Sequence, residues 1–178
     1  MLIALLIAGT IAGKVETAPA KYLEETIVYL EQVPGPFPPK THAMDQKGMK
    51  FIPPILIVTV GDTVHFLNHD GVDHNVYSPD NDGYNLGMIH KDGASDHKFD
   101  KAGVYSQLCS VHPEMLAFIF VGQNPFGAAV GKDGKYKLEN VPPGTYKVAI
   151  WNSHLKGPAQ SVTVGAGKPA QIDFSLHR

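Results

Sequence analysis

Short apolar runs, many with strict alternation of apolar and polar residues, recur along the chain, and almost none follows a helical period. Thr10–Val15 and Thr26–Leu30 read as short strands rich in β-branched residues. Ile55–Val60, Thr63–Leu67, Asn75–Tyr77, Gly103–Leu108 and Ala117–Val121 form a second series, the last an unbroken apolar run suited to a strand covered on both faces. Between them, Asp80–Asp96 is polar and glycine-rich, and one helical turn is expected near Tyr84–Met88. A third series follows: Lys135–Leu138, Thr145–Trp151, Ser161–Val164 and Gln171–Leu176, the last with Ile172, Phe174 and Leu176 on one side. The Asp133-Gly134 pair reads as the turn of a tight hairpin.

Two breaks divide these series. Val33–Pro39 (VPGPFPP) can continue neither a strand nor a helix, and Asn124-Pro125 marks a second boundary. Residues 124–178 are few for an independent core, and the N-terminal segment has two strands without partners. The economical arrangement is all-β. Residues 9–36 and 124–178 together build one small β-sandwich, and a second domain, 38–123, is inserted between them.

Composition narrows the function. Of 178 residues, 43% are hydrophobic and 18% charged, with a net charge of -2, so the chain is globular and offers no basic patch for a nucleic acid. Met1–Ala8 is apolar, with small residues following at Gly9, Ala12 and Gly13, like the end of a secretory signal that lacks its positive first part. The run is too short to span a bilayer, so no integral membrane span is expected, and the chain reads as exported, to the periplasm or beyond.

There is one cysteine, and its neighbours give it chemistry. Cys109-Ser-Val-His112-Pro-Glu-Met115 places a thiolate, an imidazole and a thioether within one loop, and His74 lies upstream in Asp73-His74-Asn75-Val76. Two histidines and a thiolate with a weak axial methionine are the donor set of a type 1, blue-copper electron-transfer site. Zinc competes for histidine and cysteine, but the methionine argues against it. The expected cofactor is therefore one copper ion held by His74, Cys109, His112 and Met115.

Gly61-Asp62-Thr63-Val64, His74-Asn75-Val76 and Ala102-Gly103-Val104-Tyr105 before Cys109 resemble the plastocyanin/amicyanin group of cupredoxins, and the short ligand loop with Pro113 is most similar to amicyanin. The resemblance covers about residues 41–121. It implies a Greek-key barrel, with Asn75 tying the ligand loops together through the backbone of Ser110. It also implies an electron port at the edge of His112, rimmed by Pro113, Leu116 and Met88, and Phe51 as a core residue. The loop Ser78–Asp96 and the Asp70/Asp73 pair depart from the amicyanin pattern, so partner choice does not carry over. In the flanking segments, Gly9-Thr10-Ile11-Ala12-Gly13-Lys14-Val15, Asp133-Gly134-Lys135-Tyr136 and Pro142-Pro143-Gly144-Thr145-Tyr146 resemble the carboxypeptidase-regulatory, transthyretin-like domain, which implies an interaction or stability module.

Other residues carry weaker expectations. His65, His69, His90 and His97 read as surface histidines, since no second cysteine or His-x-His pair joins them. Met44 and Met49 read as packing, and Trp151 as part of the sandwich. Asp70, Asp73, Asp80 and Asp82 read equally as an acidic docking patch for a basic partner or as a solvated loop. No Ser/His/Asp triad or supported carboxylate pair suggests an enzyme. The leading reading is a one-electron carrier between a redox donor and an acceptor. Copper delivery without a redox partner, and adhesion through the sandwich, are the alternatives.

Overall fold

The computed structural model describes residues 8–165 and 169–178. The apolar stretch 1–7, on which the export signal was read, lies outside the described residues. The chain is almost wholly β and forms two compact units: the residues through Gly35 with Phe126–Arg178, and Pro36–Pro125.

The first unit is built from both ends of the chain. β1 (Gly9–Thr17) and β2 (Thr26–Leu30), separated by a 3-10 turn at Ala20–Glu25, come before the insertion. β12 (Gly127–Ala129), β13 (Lys135–Val141), β14 (Gly144–Asn152), β15 (Gln160–Val164), β16 (Ala170–Gln171) and β17 (Phe174–Leu176) come after it. One sheet runs β13-β1-β16, with β17 also on β1, and the other runs β12-β2-β14-β15. Their inner faces bury Ile11, Val15, Val28, Leu138, Val148, Ile172, Phe174 and Leu176. Gly13 is required where the chain passes over β1, because a Cβ there would lie 1.6 Å from the carbonyl oxygen of Ile172. The Asp133-Gly134 turn corrects the sequence reading. It joins no hairpin but carries the chain from β12 in one sheet to β13 in the other. β12 returns antiparallel beside β2, Gly127 opposite Tyr29, so the second unit occupies the place of a hairpin loop.

That second unit holds nine strands. β3 (Thr41–Gln46), β4 (Phe51–Ile52), β6 (Thr63–Asn68) and β9 (Ala94–Lys98) make one sheet, ordered β4-β3-β6-β9. β5 (Ile55–Thr59), β7 (His74–Ser78), β8 (Tyr84–Ile89), β10 (Gly103–Leu108) and β11 (Leu116–Gly122) make the other, ordered β5-β11-β10-β7-β8. The helical turn expected near Tyr84–Met88 is instead β8. Its residues pair with β7 because Tyr84 can turn inward and stack on His97, with ring centroids 3.8 Å apart. Between the sheets lie Met44, Phe51, Val64, Phe66, Val76, Phe99, Tyr105 and Ile119, all nearly fully buried.

The Gly61-Asp62 turn holds the non-ligand part of this unit. The Asp62 carboxylate is buried and accepts hydrogen bonds from the Thr59 and Lys40 backbone N–H groups, each at 2.7–2.8 Å, and pairs with His42 Nε2 at 2.8 Å. Burial alone would raise its pKa, but the Thr59, Lys40 and His42 hydrogen bonds outweigh it and hold the group below its ordinary value. A depressed folded-state pKa gives stability that is complete above the unfolded value of about 3.9 and is lost as pH falls through the folded value. Asp62→Asn is therefore expected to cost about 2–3 kcal/mol in urea unfolding at pH 7. The difference from the parent should shrink as the pH is taken below about 4, and a constant difference at all pH values would refute the assignment.

Candidate metal centre

Three strands converge at one end of the second unit. β10 delivers Cys109 directly after Leu108, β7 opens with His74, and the turn from Ser110 to Met115 carries His112 into β11. The Met115 N–H donates to the His112 carbonyl at 3.0 Å and closes that turn. A bulge sharpens the geometry. Between Asn75 and Tyr77 the β7–β8 register shifts by one residue, and Gly87 absorbs it with a φ of 73°.

The result is a group of donor atoms within 4.8 Å of one another: His74, Cys109 and His112. His74 Nδ1 lies 3.0 Å from His112 Nδ1, and the sulfur of Cys109 lies 4.0 Å from the first and 3.8 Å from the second. Both imidazoles thus turn the same nitrogen inward. His74 is fully buried, Cys109 is 3% exposed and His112 is half-buried. Met115 follows in the same turn with its side chain buried in the core of the unit. A thiolate and two imidazoles at this spacing suit copper, and the set offers none of the carboxylate oxygens that magnesium or calcium requires.

Asn75 binds the pieces together. Its backbone N–H donates to Cys109 Sγ at 3.3 Å, and its side-chain oxygen accepts from the Ser110 N–H at 3.3 Å. Its amide nitrogen donates to Asn85 Oδ1 and to the Gly87 carbonyl, each at 2.9 Å. The hydrogen bond to the sulfur and the side-chain bonds together fix the distance of Cys109 from His74.

The remaining candidates scatter. Asp70, Asp73, Asp80 and Asp82, read equally as a docking patch or a solvated loop, each have their own partner. Asp80 accepts from the Ser106 backbone at 2.7 Å, and Asp82 accepts from the Tyr105 hydroxyl at 2.5 Å, which lowers the Asp82 pKa. Asp70 turns to His74, and Asp73 pairs with His90 at 2.7 Å. His65 pairs with Asp96 and His69 with Asp45, while His97 stacks on Tyr84. Among the described residues, His74, Cys109 and His112 are the three-donor group. Four exposed apolar side chains, Val72, Met88, Val111 and Leu116, stand beside the donors in sequence or in strand register, and Val72 and Val111 were not singled out from the sequence. Pro113 is exposed in the same turn.

Residues 39–122 match the family model of copper binding proteins, plastocyanin/azurin family, so this stretch is a cupredoxin domain and copper is its cofactor. Among individual proteins, the chain is similar to amicyanin of Paracoccus versutus, 31% identical over 77 residues, 41% of this chain and 58% of that protein. It thus spans little more than half the length of that relative. Among solved structures, a reduced tryptophan-to-tyrosine variant of amicyanin is 32% identical, covering 46% of this chain and 81% of that one, with a TM-score of 0.43. A purple cupredoxin from Nitrosopumilus maritimus is 27% identical, covering 45% and 98%, with a TM-score of 0.42. Residues 123–172 match the model of polysaccharide lyase family 4, domain II.

Asn75→Ala removes the bridge between the donor loops while leaving the donors themselves. Copper affinity, measured by competition with a chelator, should fall about 10- to 100-fold. Unchanged affinity would show that the loops hold their spacing without it.

Proposed function

We propose that the chain is an exported electron carrier in which His74 Nδ1, Cys109 Sγ, His112 Nδ1 and the Met115 thioether hold one type 1 copper ion. The observation that carries this reading is the assembly of a buried cysteine sulfur and two imidazole nitrogens within 4.8 Å, with a backbone N–H aimed at the sulfur. Copper bound there would supply one-electron chemistry between its two common oxidation states. The protein's part is to keep the donors still. The Asn75 bridges and the two flanking strands resist the rearrangement that a change of oxidation state would otherwise bring. Burial of His74 and Cys109 suits this role better than copper delivery, which needs an open and exchangeable site.

His112, half-buried at the loop tip, is the electron port in this reading, and Val72, Met88, Val111, Pro113 and Leu116 make an apolar rim for a redox donor and acceptor. This rim offers a partner apolar contact, with the carboxylates of Asp70, Asp80 and Asp82 held by hydrogen bonds from the protein itself. The other unit is proposed as an interaction or stability module of the carboxypeptidase-regulatory kind. Among the described residues, no helix is long and apolar enough to cross a membrane.

Two measurements test the proposal. Cu(II) added to the apo-protein should give an intense thiolate-to-copper absorption band and a narrow copper hyperfine splitting in EPR, both absent from Cys109→Ala. A pale product with ordinary type 2 EPR would sink the electron-carrier reading. Secondly, Leu116→Glu should slow electron self-exchange between reduced and oxidised protein roughly tenfold or more, because two copies would then bring like charges together. The reduction potential should stay as it is. Self-exchange at the parental rate would move the port elsewhere.

A further inference from the structure

The loop before His74 is organised around a carboxylate that faces the histidine from the side away from Cys109. Asp70 Oδ2 lies 3.0 Å from His74 Nε2 and accepts from the Met49 backbone N–H at 2.8 Å, while Oδ1 accepts from the Gly71 N–H at 2.9 Å. Asn68, fully buried at the end of β6, holds the loop in place. Its side-chain oxygen accepts from the Asp70 N–H at 2.9 Å, and its amide nitrogen donates to the carbonyls of Val72 and Ile89 at 2.9 and 2.8 Å. With two backbone N–H groups donated to it, the Asp70 carboxylate is an acceptor toward His74 as well. His74 itself is fully buried, and the Asp70 side chain is 19% exposed.

An ionised carboxylate only accepts hydrogen bonds, so the proton between the two residues sits on His74 Nε2. That choice of tautomer leaves Nδ1 bare, and Nδ1 is the nitrogen that faces Cys109 and His112. The carboxylate does more than orient the ring. It makes the imidazole a stronger electron donor, and it sets a negative charge behind the histidine in a mostly buried site.

Resting on the ligand set proposed above, we infer that Asp70 is a positioning residue of the copper centre, which fixes His74 for Nδ1 ligation and biases the site toward Cu(II). The charge count supports the direction. With the Cys109 thiolate, oxidised copper carries one net positive charge and reduced copper none, so a fixed negative charge favours the oxidised form. The same charge weakens any bias toward Cu(I) that burial would create.

The test compares Asp70→Asn and Asp70→Glu with the parent. Asp70→Asn keeps the size and one acceptor but removes the charge. It should lower Cu(II) affinity about tenfold relative to Cu(I), which raises the one-electron potential by about 59 mV. Asp70→Glu should stay closer to the parental potential. An unchanged potential in a folded, blue Asp70→Asn protein would overturn the inference, because a residue that only shapes the loop would alter stability and leave the potential alone. Where neither variant folds, nitrogen NMR of the parent apo-protein at pH 8 decides the tautomer. A slowly exchanging proton on His74 Nε2 supports the inference, and a proton on Nδ1 overturns it. Absence of a type 1 spectrum in the parent would refute the electron-carrier reading, while the NMR result would still stand for or against Asp70.

Discussion

Three side chains that converge on one point, His74, Cys109 and His112, have to be held there by the rest of the protein. Asn75 is the residue on which this depends. Its backbone faces the sulfur of Cys109, its carbonyl oxygen receives the Ser110 N–H, and its amide reaches across the bulge to Asn85 and Gly87. One side chain therefore joins the start of β7, the ligand turn and β8. The bulge at Gly87 is part of the same device, because an unbroken β7–β8 ladder would leave the Asn75 amide no carbonyl at that place. Below this end, the aromatic packing of Phe66, Tyr84, Phe99 and Tyr105 makes the platform rigid.

The convergence of Cys109 and His112 was legible in the sequence because they share one short turn, where spacing alone brings them together. His74 was legible through its place beside Asn75 in a strand. The role of Asp70 was not legible. It depends on Asn68 and Met49 folding the loop back, and in the sequence Asp70 looks like any member of an acidic run. The rest of that run was equally open, as a docking patch or a solvated loop. Asp80 and Asp82 lie close in sequence to Asp73, yet β8 and β10 draw them to Ser106 and Tyr105. Local charge counts do not show which backbone N–H group or hydroxyl will hold each carboxylate.

The strands show the same division. Gly103–Leu108 was readable from alternation, because one face is buried, and Thr26–Leu30, buried almost throughout, from its β-branched residues. β8 and β9 were not. β8 carries Gly87 and exposes half of its residues, and β9, ASDHK, offers no apolar pattern. What places them is pairing with β7 and β6 and the stacking of Tyr84 on His97, both of which are long-range. Polar edge strands of this kind are fixed by their neighbours rather than by their own propensity.

The insertion puts a further constraint on the sandwich. β1 pairs with β13, β16 and β17, and β2 with β12 and β14, so the first two strands have no strand partner until the chain has passed through the whole copper domain. The Leu30 N–H then meets the Phe126 carbonyl at 3.0 Å, closing the point where the insertion leaves and returns. Closing a loop as long as this one while it is unfolded costs entropy that grows with the logarithm of its length. A folded insertion has already lost most of that freedom through its own core and its own hydrogen bonds. The β2–β12 pairing is thus favoured once the copper domain has folded, and the topology predicts that the inner domain forms before the sandwich whose hairpin it interrupts.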